Sequence, residues 1–116
     1  MDRIVSFKSN GRAHTFFQDE IFYMESDNHK VAVCMKQQRP EYYGKIGEFE
    51  KKLQPDFFRI HKGYLINLKY VDHYDRTDVY MENGDMLRIS KYKYQAFVKA
   101  YSTYLQENGC GKRNCS

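Results

Sequence analysis

Residues 57–71 read FFRIHKGYLINLKYV. Two runs rich in aromatic and β-branched side chains, FFRIH and YLINL, stand on either side of Lys62 and Gly63, and the pattern predicts two β-strands. Phe57, Ile60, Leu65 and Ile66 are the expected core positions. Arg59, His61, Lys62 and Tyr64 have reason to face outward. Asn67 closes the second run and suits a turn in which its amide bonds backbone groups. A buried strand with two cations and an imidazole at its edge needs a partner for those charges.

Working outward, the hydrophobic period stays close to two. RIVSFK (3–8) and RAHTFF (12–17) flank Asn10-Gly11, which supplies the positive φ angles of a tight hairpin turn. IFYMES (21–26) follows, and after the turn formers of SDNH comes KVAVCMK (30–36). There Val31, Val33 and Met35 alternate with Ala32, Cys34 and Lys36, predicting a strand buried mainly on one face. Beyond Pro40 the period changes, and Ile46, Phe49 and Leu53 form the stripe of a short amphipathic helix ending before Pro55. From residue 70 on, YVDHY and DVYME read as strands, and a second Asn-Gly turn at 83–84 leads into DMLRIS. Ser90 is the expected N-cap of a closing helix carrying Tyr94, Phe97, Val98, Tyr101 and Leu105.

The predicted fold is mainly β with minor α: an elongated antiparallel arrangement in two β layers, one short central helix and a C-terminal helix. Residues 1–108 are expected to form one domain. Residues 109–116, GCGKRNCS, lack any period and are expected to be a disordered tail. No repeat, low-complexity tract or linker interrupts the chain.

At 116 residues there is room for one core. A mean hydropathy of −0.82 would suit a disordered chain, yet 11 tyrosines and 8 phenylalanines supply apolar area for an aromatic core. The net charge of +4 permits an anionic partner without demanding one. The amino terminus has no export signal, and no apolar run reaches the roughly 18 residues of a membrane span. A cytoplasmic location is therefore expected, with no membrane partner. Three cysteines, Cys34, Cys110 and Cys115, make an odd set that argues against a disulfide framework.

Catalytic and cofactor chemistry find little support. His14, His29, His61 and His73 show no metal-ligand spacing with one another or with Cys34, so no metal is expected. GCGKRN lacks the earlier glycine, the Ser/Thr after lysine and the preceding strand of a phosphate-binding loop. No nucleophile elbow, His-Glu-x-x-His or carboxylate cluster appears, and the chain is not expected to be an enzyme or to bind a cofactor.

Nucleic acid is better matched, because cations fall where strands turn. Asn28, His29 and Lys30 occupy one turn. Arg59, His61 and Lys62 precede Gly63 and Tyr64. Arg88, Lys91, Tyr92 and Lys93 surround the start of the second helix, whose backbone N–H groups near Ser90 would suit a phosphate. Lysine and arginine supply affinity for phosphate, and paired donors and acceptors read base edges.

FFRIHKGYLINLKYV, followed by NGDMLRISKYKYQAF at 83–97 and preceded by EIFYMES and HKV, resembles the LytTR DNA-binding domain over roughly residues 5–105. The resemblance implies a β fold that binds duplex DNA through loops entering successive major grooves. It implies base contacts from His29, Lys62, Lys91 and Tyr92. The clusters at the turns themselves are the basis for expecting phosphate contacts from Asn28, Lys30, Arg59, His61, Gly63, Tyr64, Arg88 and Lys93. His61 is equally suited to a structural hydrogen-bond donor. The family often has arginine where Tyr92 stands and serine where Gly63 stands, and Tyr92 cannot make arginine's bidentate contact with guanine.

The function so implied is that of a bacterial transcription regulator, the output domain of a two-component response regulator or a free-standing protein. Two copies would bind side by side on direct repeats, with a receiver domain upstream in any longer parent. Two other classes remain open on the residues alone. Aromatics interleaved with lysines on strands suit single-stranded RNA, and exposed tyrosines suit a protein-interaction module.

Overall fold

Asn10 and Gly11 both have positive φ, 54° and 74°. This pair reverses the chain between β1 (Ile4–Ser9) and β2 (Arg12–Phe17), which pair from Ile4↔Phe17 to Ser9↔Arg12. The hairpin is the one the sequence predicts. It belongs to a computed structural model that describes residues 3–53 and 55–108, so the tail expected at 109–116, with Cys110 and Cys115, lies outside the described residues.

The centre of the fold is a five-stranded antiparallel sheet. Its strands are β3 (Ile21–Asp27), β4 (Lys30–Met35), β5 (Glu41–Tyr43), β6 (Phe57–His61) and β7 (Tyr64–Asn67), in the order β5-β4-β3-β7-β6. A second, three-stranded sheet orders β10 (Met86–Arg88), β9 (Asp78–Met81) and β8 (Val71–Tyr74). Two helices complete it, α1 (Ile46–Leu53) and α2 (Tyr94–Asn108). The fold is thus mostly antiparallel β with two helices, and its principal extents are 45 × 32 × 24 Å. Among the described residues no helix is long and apolar enough to cross a membrane.

Both faces of the central sheet are covered. On one, Met24, Val31, Val33 and Leu65 pack against Val5 and Phe7 of the hairpin and against Ile46, Phe49 and Leu53 of α1. The helix presents the stripe its sequence predicts. On the other face, Cys34, Ile60 and Ile66 meet Val79 and Leu87 of the second sheet and Phe97 and Tyr101 of α2. This corrects the expectation for β4, where Val31, Ala32, Val33 and Cys34 are all buried, because layers distant in sequence close over both sides. It also makes the arrangement three-layered at the centre rather than two-layered.

Three local details differ from expectation. A strand, β5, precedes α1 and sets the Tyr42 ring 5.0 Å from that of Phe7. The Asn83-Gly84 turn is a three-residue loop: the Met81 N–H donates to Asp85 O, and only Gly84, at φ 96°, is left-handed. Ser90 heads a separate turn, its carbonyl accepting from Lys93 N at 2.9 Å and its hydroxyl from Tyr92 N at 3.3 Å. The α-helix itself begins at Tyr94.

Candidate nucleic-acid interface

The register of β3 against β7 decides where the turns fall. Glu25 pairs with Tyr64, so β3 ends at the edge of the sheet where β7 begins. The β3–β4 turn, Asn28-His29, and the β6–β7 turn, Lys62-Gly63, therefore stand side by side. They are tied together where the Ser26 N–H donates to Gly63 O at 2.9 Å. A hollow of about 480 Å³ between them is lined by Asn28, His61, Lys62, Gly63 and Tyr64.

The third cluster joins the same rim through the edge strand. The Ser90 N–H donates to Ile60 O at 2.8 Å, one residue before the end of β6, and the Ile89 N–H donates to Thr77 O at 2.9 Å. The chain that leaves the second sheet at Arg88 thus meets β6 at Ile60, two residues before Lys62, just ahead of Lys91 and Tyr92. Asn28, His29, Lys30, Lys62, Lys91 and Lys93 are exposed there, and Tyr92 is 84% exposed.

Individual side chains divide between aiming the loops and facing solvent. Arg59 aims. Its Nη1 meets Glu50 of α1 at 2.9 Å, its Nη2 donates to Lys62 O at 2.6 Å, and its Nε donates to the carbonyls of His61 and Lys62, both at 3.2 Å. Its guanidinium therefore clamps the turn that carries Lys62. His61 accepts, at Nδ1, the Gly63 N–H at 3.1 Å. It is a structural acceptor rather than the donor its sequence position suggests, and in the neutral ring the proton sits on Nε2. Burial, and then the Glu25 charge, raise the Tyr64 phenol above its usual range, leaving it a neutral hydrogen-bonding group.

Lys30 lies over the Tyr43 ring, 5.3 Å from its centroid, and Lys91 over Tyr92 at 5.2 Å. Arg88 reaches Asp78 with Nε at 3.3 Å and stays 69% exposed. The amides of Tyr92 and Lys93 are taken by Ser90, so the backbone donors expected near Ser90 are used within the turn. A Cβ added to Gly63 would meet only His61 Nδ1 and Ser26 O, each at 3.7 Å; a serine side chain has room there. Two positioning groups, Ser26 and Glu50, escaped the sequence reading. Neither carries a local signal: Ser26 acts on a turn far along the chain, and Glu50 meets Arg59 only because α1 packs beside β6.

Comparisons with known proteins identify the fold and the family. No curated protein sequence matches the chain. The solved LytTr DNA-binding domain of a Bacillus cereus response regulator shares the fold at a TM-score of 0.67 and 19% identity, over 85% of this chain and 95% of that one. The family profile described as the LytTr DNA-binding domain matches residues 11–102. With most of its length accounted for in this way, the chain belongs to the family of LytTr DNA-binding domains.

Proposed function

We propose that the protein is a sequence-specific duplex-DNA binder of a bacterial, cytoplasmic transcription regulator, inserting its aligned turns into successive major grooves. The observation that carries this reading is the shared rim. The Ser26–Gly63 and Ser90–Ile60 hydrogen bonds gather exposed donors from three distant segments at one end of the sheet. His29, Lys62, Lys91 and Tyr92 read base edges. Asn28, Lys30, Gly63, Tyr64, Arg88 and Lys93 lie against phosphates, while Arg59 and His61 hold the β6–β7 turn in place for that contact. Two copies bind direct repeats as a homodimer on DNA, and a receiver domain precedes the module in a longer parent protein. No catalytic step enters this function.

The burial of the strand aromatics weighs against single-stranded RNA. Among the described residues the large exposed aromatics are Phe17, Tyr43 and Tyr92, which form no continuous stacking platform of the kind single strands use. Selection of bound duplexes from a random pool, followed by competition with poly-U RNA, tests the choice directly. A defined duplex outcompeting the RNA by orders of magnitude supports the reading. Equal competition, or no binding to either, overturns it.

Two further outcomes follow for the selected site. If about six phosphates are neutralised, log K falls against log salt with a slope near −5; a slope near zero would be incompatible with phosphate contacts. Lys62→Ala lowers affinity for that site by ~1–3 kcal/mol and relaxes base choice, whereas Lys93→Ala weakens all duplexes about equally. Binding titrations on the selected site and on a scrambled duplex separate the two roles, and identical behaviour of both variants would refute the assignment.

A further inference from the structure

The tip of the β1–β2 hairpin stands next to the β3–β4 turn. Ser9 Oγ lies 3.4 Å from Tyr43 O, to which it donates, and one residue later the Gly44 N–H donates to His29 O at 2.9 Å. Ser9 is the cross-strand partner of Arg12. These contacts extend the row of turns by one more element, on the side of His29 away from Lys62. Between the tip and β4–β5 lies an open hollow of about 540 Å³, with Arg12, His14, Lys30 and Glu41 among its lining residues.

Among the described arginines, Arg12 stands apart. Arg3, Arg39, Arg59 and Arg88 each meet a carboxylate, and Arg76 lies over the Tyr94 ring. Among the described residues Arg12 has neither kind of partner, and it is exposed. Lys30, on the other wall of the hollow, also lacks an ion pair among them. The two cations outnumber the one carboxylate lining the hollow, Glu41, which leaves it favourable to an anion, and the planar fork of the guanidinium suits two oxygens of one phosphate. The hollow's continuity with the rim of turns selects the DNA backbone as the source of that phosphate.

We propose that the duplex footprint continues past the β3–β4 turn onto the hairpin tip, where Arg12, facing Lys30, holds a phosphate of DNA flanking the base-read site. The proposal rests on the duplex-binding reading above. It adds a contact that carries no sequence information but lengthens the DNA the protein needs.

Fluorescence anisotropy on the selected duplex, with and without about half a helical turn of extra DNA on the His29 side, tests it. Arg12→Gln is expected to make the salt slope shallower by about 0.9 and to weaken specific and scrambled duplexes alike, by roughly threefold to tenfold at low salt. Arg12→Lys, which keeps the charge, restores the slope. Removing the flanking DNA abolishes the difference between Arg12→Gln and the unaltered protein. Arg3→Gln, at the opposite end of the hairpin and paired with Asp56, leaves the slope unchanged. An Arg12→Gln slope equal to that of the unaltered protein, or an equal loss on Arg3→Gln, overturns the proposal. If that result comes while Lys62→Ala still impairs binding, only the hairpin contact falls; if the unaltered protein binds no duplex, both readings fall together.

Discussion

Phe97→Ala is expected to lower the unfolding free energy by about 3–5 kcal/mol, the range for emptying an aromatic site in a packed core. Phe97 is fully buried. Its ring stacks on Tyr101 at 5.9 Å, meets Tyr74 edge-on at 5.1 Å and lies 6.0 Å from Phe58 of β6. One side chain therefore joins α2 to both the central sheet and the second sheet, and its removal takes away the shared partner of three rings at once. Thermal melting should show a drop in Tm on the order of 15 °C. Because the turn from Ser90 to Lys93 leads directly into α2, DNA affinity measured well below the melting point should fall as well. A destabilisation under about 1 kcal/mol would mean that the helix is anchored elsewhere.

Asn67→Ala is expected to cost about 2–4 kcal/mol, because it removes the side-chain hydrogen bonds to Ile21 O, Gln18 O and the Lys69 N–H from a buried site. The Asn67 side chain is 2% exposed. Its Nδ2 donates to Ile21 O at 2.9 Å and to Gln18 O at 3.4 Å, and its Oδ1 accepts the Lys69 N–H at 3.0 Å. The amide thereby fastens the 3-10 turn Gln18–Glu20 and the start of β3 to the 3-10 turn Leu68–Tyr70 that follows β7. Urea denaturation checks this: a lower midpoint with an unchanged slope is the expected result. A midpoint shift corresponding to less than about 0.5 kcal/mol would show that water or a neighbour replaces the lost bonds.

Asn67 also illustrates how much the sequence discloses. An asparagine closing an apolar run signals backbone bonding, and it makes such bonds, but the partners 46 and 49 residues away are invisible in the local pattern. Features set by neighbouring residues were legible for the same reason. The Asn10-Gly11 hairpin and the stripe of α1 depend on short-range backbone and side-chain preferences. The double-sided burial of β4 was not legible, since it depends on which layers close over the sheet. The α2 start fell four residues beyond Ser90 because the serine hydroxyl caps a short turn of its own. At the candidate interface, the residue types at the turns were readable as cationic or polar. That Arg59 spends its guanidinium on Glu50 and the Lys62 carbonyl was not, because the pairing forms only when α1 packs beside β6.

On the proposed function, the clamped turns would also separate the DNA-reading side chains from those that keep the molecule folded. His29 and Lys62 stand on turns between paired strands and Tyr92 on a turn tied to β6 through Ser90, while their own side chains contribute nothing to either core. Exchanging them leaves the caliper intact and alters only its tips. If those tips read DNA as proposed, target preference would drift by single codon changes without a toll on stability, whereas the reach of the β3–β4 and β6–β7 turns would change only by rebuilding the sheet itself.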